Sequence, residues 1–143
     1  MDIFEWDEQT PVTANNMNEM QNILNDNISE EVLDVYSTTE QRIGTWIDGK
    51  PIYRKVVYYG NLPNATAKSV AHNISNLKQV ITINGCCFDG NNAYYTLPLV
   101  YRGSDSSFNV QTNVNPTDIR MASSQDRSSF TAYIIIEYTK TTD

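Results

Sequence analysis

At Tyr36 the apolar pattern of this chain changes period, and that switch separates two kinds of structure. Upstream, apolar residues recur at Met17, Met20, Leu24, Ile28, Val32 and Val35, in steps of three or four. Those steps match the helical turn, so one face of a helix would carry the whole stripe. Ile23 and Leu33 widen it, while Asn, Gln, Asp and Glu fill the other faces. Before it, Phe4 and Trp6 lie in an extended leading segment closed by Pro11, and Thr13-Ala14-Asn15-Asn16 offers N-cap residue types. A helix of about 20 residues spans roughly 30 Å. Alone in water it would be marginal, so the stripe has to be buried. It can pack on its own β region or bundle with copies of itself. An uninterrupted arm ahead of the β region favours bundling. No strict 3.5-residue seam is present, which fits a short, nearly straight trimer or dimer better than a long supercoil.

Downstream of Tyr36 the chain breaks into short β-prone runs. Arg42 to Ile47 and Pro51 to Tyr59 flank Asp48-Gly49, a hairpin signal. Ser69 to His72, Val80 to Phe88, Tyr94 to Tyr101, Phe108 to Val114, Asp118 to Ala122 and Phe130 to Lys140 follow. Pro98 marks an edge or a bulge in its run. The expected architecture is therefore mainly β. It is an antiparallel β-sandwich, jelly-roll-like, of seven or eight strands with turns about every 8–12 residues. An N-terminal α-helical neck precedes it. The expected division is an extended segment and helical oligomerisation arm over 1–36 and a sandwich head over 37–143.

Charge divides at nearly the same place. Residues 1–40 hold ten acids and no Lys or Arg. Residues 41–143 hold seven acids against ten bases, a net of +3. A surplus that small over a hundred residues is not a nucleic-acid footprint, though it permits contact with a weakly anionic surface polymer. Ten carboxylates per arm would repel one another in a bundle, so they must point away from the apolar stripe. Met1 is followed by Asp2, Glu5, Asp7 and Glu8, the reverse of a basic signal-peptide start. Synthesis in the cytoplasm without classical secretion is expected, and no apolar run approaches the ~18 residues of a membrane span.

Few residues point to catalysis. Asp48 and Asp89 each precede Gly, where turn geometry alone asks for Asp. His72 is the single histidine and has no triad partners in view. Cys86 and Cys87 are adjacent, so in a strand they point to opposite faces. That count excludes a disulfide framework and, without C-x-x-C, argues against a zinc site. No Gly-rich phosphate loop is present. No catalytic residue, metal or cofactor is expected. Three Asn-x-Ser/Thr sequons, at Asn27, Asn64 and Asn73, are what an Asn-rich chain produces by chance.

Tyrosine is the compositional outlier, with nine copies against four Phe and two Trp. It joins apolar area to a polar tip, which suits interfaces and sugars. Two loops set amides and charges beside rings: Asp89, Asn91, Asn92, Tyr94 and Tyr95 in one, Tyr101 and Arg102 in the other. Rings can stack on sugar faces while amides and carboxylates bond hydroxyls. These seven residues are the candidate ligand site, although turns use the same Asn, Asp and Gly with no ligand.

Three segments carry a resemblance. Thr39 to Lys55, reading TEQRIGTWIDGKPIYRK, resembles a stretch common in tail fibre and baseplate receptor-binding proteins of phages of Gram-positive bacteria. Tyr133 to Thr142, reading YIIIEYTKTT, resembles the last strand of such chains. Thr10 to Asn18 is similar to the segment that opens their helical neck. The resemblance covers both ends and the first hairpin, not the middle. It implies a homotrimer on the virion, at the tail tip, with a helical neck and a β-sandwich head. It implies attachment to host cell-wall or surface saccharide, contact with other tail or baseplate proteins, and no catalysis. It hands over no binding residues: Gly44, Gly49 and Pro51 would shape the hairpin, and Trp46, Ile52 and Tyr53 would pack. Two other readings compete. One is a structural connector that docks virion proteins without binding sugar. The other is a polysaccharide-degrading tail enzyme, which would need two carboxylates placed around one bond.

Overall fold

The computed structural model describes residues 18–19, 34–100 and 109–143. The chain divides into two units, Met1–Val35 and Tyr36–Asp143. In the first, Asn18 and Glu19 are helical and exposed, and Val35 is exposed. The rest of the expected helical neck, with Met17, Met20, Leu24, Ile28 and Val32 of the stripe, lies outside the described residues.

The second unit is mainly β and antiparallel, compatible with a β-sandwich. Its strands are β1 Gln41–Thr45, β2 Pro51–Asn61, β3 Ala67–Ala71, β4 Leu77–Phe88, β5 Tyr94–Thr96, β6 Val110–Val114, β7 Asp118–Ser123 and β8 Thr131–Lys140. They form a five-stranded sheet in the order β1-β2-β8-β4-β5 and a three-stranded sheet in the order β3-β7-β6.

The organising strand is β8. Its alternation puts Ala132, Ile134, Ile136 and Tyr138 on one face, all essentially without solvent contact. That face meets Ile119 and Met121 of β7 and Val110 of β6, which are equally buried. Val57 and Tyr59 of β2, Cys87 of β4, and Leu62, Ile74 and Leu97 complete the core. Each fully buried side chain of this size stabilises the fold by roughly 1.5–3 kcal/mol. Gly85 of β4 lets this layer close. A Cβ there would lie 2.6 Å from Ile134 Cδ1 and 3.1 Å from the Tyr133 carbonyl oxygen.

Local chemistry matches the turns. In the β1–β2 hairpin Trp46 N–H donates to Lys50 O, and Gly49 N–H to Trp46 O. Gly49 adopts a φ of 84°, and the Asp48 carboxylate accepts from Lys50 N–H. Between the sheets, Tyr59 Oη donates to Lys68 O at 2.7 Å and Ser123 Oγ to Pro63 O at 3.1 Å.

The expected Tyr94 to Tyr101 strand is shorter in the structure. β5 stops at Thr96, and past Pro98 the chain turns toward the other sheet, where Leu99 pairs with Val110 through a 2.9 Å bond. Pro98 has no N–H with which to continue the ladder. Cys87 is buried and Cys86 exposed, as neighbours on a strand should be.

Candidate functional site

From Thr131 to Glu137 the odd-numbered phase of β8 points away from the core, and the sheet register decides what lies beside it. Tyr133 faces Tyr58 of β2 on one side and Cys86 of β4 on the other. Cys86 in turn faces Thr96 of β5. One step along, Thr131 faces Phe88, and Phe88 faces Tyr94. In the opposite direction run Val56, Ile135 and Asn84, then Arg54, Glu137 and Thr82.

Two aromatic pairs therefore stand on the outer face of the larger sheet. The Tyr58 and Tyr133 rings are 4.9 Å apart and tilted by 45°, and the residues are 53% and 54% exposed. The Phe88 and Tyr94 rings are 4.8 Å apart and tilted by 32°, with Tyr94 72% exposed. The positions between the pairs hold the small residues Cys86, Thr96 and Thr131, the first two exposed. Strand spacing and rise place the midpoints of the two pairs roughly 12 Å apart. The result is a diagonal strip in which rings alternate with hydroxyl and thiol groups.

Arg54 and Glu137 form an ion pair on this face. Arg54 meets Glu137 at 3.0 Å, and its guanidinium lies 4.4 Å from the centre of the Tyr36 ring. By strand rise this group sits roughly 14 Å from the Tyr58–Tyr133 row.

The loop singled out from sequence has a different organisation. The Asp89 carboxylate accepts three backbone N–H bonds, from Asn91 at 2.8 Å, Asn92 at 3.1 Å and Ala93 at 3.2 Å. Those bonds, led by the one from Asn91, hold its pKa below the ordinary aspartate value. The carboxylate thus builds the turn, leaving the exposed Asn91 and Asn92 side chains at its tip. Tyr94 and Tyr95 diverge. Tyr94 joins Phe88 on the outer face, whereas Tyr95 turns to the other side and stacks on Phe130 at 5.9 Å. Tyr101 and Arg102 lie outside the described residues.

Tyr58, Tyr133 and Phe88 did not stand out in the sequence. For Tyr133 and Phe88 the signal is an out-of-phase position on a strand whose other phase is apolar or small. The register that sets Tyr58 against Tyr133 joins residues far apart in the chain.

A second depression, with a volume of about 230 Å³, lies beside β2 and is lined in part by Lys55, His72 and Asn73. Two of its polar side chains are engaged. Lys55 Nζ donates to Asn73 O at 3.1 Å. The buried His72 accepts Ile74 N–H at Nδ1 (3.0 Å), so Nε2 carries the proton donated to Asn115 O at 2.9 Å. Several carboxylates are engaged too. Asp118 accepts from Asn115 and Thr117, Asp126 from Ser128, and Glu40 from Tyr138 Oη and Lys140 Nζ. Among the described residues no group of three or more His, Cys, Asp or Glu could hold a metal ion, and no helix is long and apolar enough to cross a membrane. No protein-family model, curated protein or solved structure matches the chain.

Proposed function

We propose that this protein is a non-enzymatic phage tail receptor-binding protein that attaches to saccharide on the host surface through the outer face of its five-stranded sheet. The observation that carries this reading is the pair of exposed aromatic couples, Tyr58–Tyr133 and Phe88–Tyr94, separated by small polar side chains. Sugars present apolar ring faces and a rim of hydroxyls, and a strip alternating rings with Thr and Tyr hydroxyl groups offers partners for both. The resemblance of Thr39–Lys55, Tyr133–Thr142 and Thr10–Asn18 to phage receptor-binding proteins supports the setting on a virion. The carboxylates support the absence of catalysis, because Asp89, Asp118 and Asp126 accept bonds within their own turns.

In this reading the jelly-roll-like head is carried on a helical neck that bundles three copies through the Met17 to Val35 stripe. Three heads would turn weak single-site contacts into durable attachment. Cell-wall pull-down with the purified protein, together with light scattering, tests the proposal. Retention on walls of Gram-positive bacteria by a trimeric species is expected. A monomer that ignores every wall preparation would overturn it. Capture of purified baseplate proteins without any wall binding would favour the connector.

A further inference from the structure

We infer that the ligand of the outer sheet face is a neutral glycan segment several units long, held between the two aromatic pairs, and not a phosphate-bearing wall polymer. This rests on the receptor-binding reading and concerns the same face.

Charge decides between the two polymer classes. The β region carries a net +3, which by itself would suit a weakly anionic partner. Three of its described cations are engaged away from the strip. Lys55 reaches Asn73, Lys140 pairs with Glu40, and Arg127 sits over Phe130 beside Tyr95 on the opposite side. On the outer face Arg54 and Glu137 neutralise each other at 3.0 Å, and Lys78 pairs with Asp48 at 3.6 Å. A phosphodiester laid over Cys86 and Thr96 would give up hydration and find no cation in the two residue rows of the strip, which is costly. A neutral polyol meets no such penalty there.

Length follows from spacing. The midpoints of the two pairs are roughly 12 Å apart by strand geometry, more than one pyranose ring bridges. Between them, Cys86 and Thr96 form a low floor flanked by Tyr133 on one side and Phe88 with Tyr94 on the other. A chain running diagonally across the strands would meet both pairs. A monosaccharide would meet one.

The polar floor also separates this occupant from a second copy of the sheet. Packing two such faces together would strand the hydroxyl of Thr96 and the amide of Asn84 in a dry interface. A glycan supplies hydroxyls to both.

The test uses wall polysaccharide released from a panel of Gram-positive bacteria and separated on an anion exchanger into neutral and phosphate-bearing fractions. The full chain is expected to bind a neutral fraction, with affinity little changed from low to high salt. Complete hydrolysis of that fraction to single sugars should abolish binding. Tyr133→Ala and Tyr94→Ala should each weaken it by about tenfold, the equivalent of one ring contact. Tyr95→Ala, on the opposite side, should leave it unchanged. Thermal unfolding of each variant confirms that it is folded, and both residues are exposed enough to tolerate truncation. Binding confined to the phosphate-bearing fraction would overturn the inference and leave receptor binding standing. So would neutral binding indifferent to Tyr133→Ala and Tyr94→Ala. Binding to no fraction would overturn both.

Discussion

Tyr58 and Tyr133 lie directly opposite each other on neighbouring antiparallel strands, their rings 4.9 Å apart, yet each keeps about half its surface in solvent. The next residue along β8, Ile134, has no exposure at all. One step of chain therefore separates a solvent-facing residue from a core residue. The two substitutions should differ accordingly. Tyr133→Ala removes a cross-strand ring contact, for a cost of about 0.5–1.5 kcal/mol. Ile134→Ala empties a closed site, for about 2–5 kcal/mol. Urea unfolding of the two variants checks the difference, and similar midpoints would contradict the assignment of faces.

Gly85 of β4 lies close against Ile134 of β8. Gly85→Ala would bring a methyl to 2.6 Å from Ile134 Cδ1, with the Tyr133 carbonyl oxygen at 3.1 Å behind it. Overpacking of this kind costs about 1–3 kcal/mol. Ile134→Val removes the clashing Cδ1, so the double variant should be more stable than the sum of the single losses allows. The carbonyl stays in place, so rescue should be incomplete. Denaturant midpoints for the four proteins give the coupling, and strict additivity would place the strain elsewhere.

Much of the strand layout was legible because it depends on local pattern. The Phe130 to Lys140 run, the Asp48-Gly49 turn and the opposite fates of Cys86 and Cys87 all follow from residues within reach of one another. The site was less legible because it depends on register. Nothing near Tyr58 indicates that Tyr133 will be its neighbour, with Cys86 next across and Thr96 beyond. Tyr94 and Tyr95 stand together in sequence, but a strand sends neighbours to opposite faces, so only Tyr94 reaches the strip. His72 looked like an ordinary polar strand residue. Its burial depends on Asn115, 43 residues away.

That histidine gives a prediction independent of ligand binding. With His72 absent, the Asn115 carbonyl and the Ile74 N–H would each lose a partner, and the second bond is buried. Leaving two such groups unpaired costs roughly 2–5 kcal/mol. His72→Leu should therefore lower the unfolding midpoint strongly. Binding by the folded fraction should be unchanged, because His72 faces the core side of the larger sheet. A calorimetric melt paired with a binding isotherm separates the two effects.

Acid should destabilise the β unit through its turns. Asp89, Asp118 and Asp126 all have pKa values below the ordinary aspartate value. The leading causes are the Asn91 N–H for Asp89, the Asn115 amide for Asp118 and the Ser128 hydroxyl for Asp126. For a carboxyl group whose folded value lies below its unfolded value of about 3.9, the stabilisation is fully present above the unfolded value. It is lost as pH falls through the lower, folded one. Stability should hold from neutral pH down to the ordinary carboxylate range and then decline. Asp89→Asn should start less stable at neutral pH and show a shallower acid decline. An unchanged acid limb in that variant would remove Asp89 from the account.

Alkali should act through the core tyrosines, with the opposite sign. Tyr138 is fully buried, stacks at 6.0 Å on Tyr53 and donates its hydroxyl to Glu40. Burial first, and then the bond to the Glu40 carboxylate, raise its pKa well above that of a free tyrosine. Burial likewise raises that of Tyr59. A folded-state value above the unfolded value of about 10 means that the unfolded chain releases its proton first. The stabilisation is therefore present below that value and is lost as pH climbs toward the folded one. Unfolding free energy should fall once pH passes about 10. Tyr138→Phe should flatten part of that fall and leave the Tyr59 contribution in place. At neutral pH the same variant should be less stable, because Glu40 keeps Lys140 at 2.7 Å but loses its phenol donor. Urea midpoints across the alkaline range for the wild-type and variant chains test both signs at once. Parallel curves would show that the Tyr138 hydroxyl does not govern the alkaline limb.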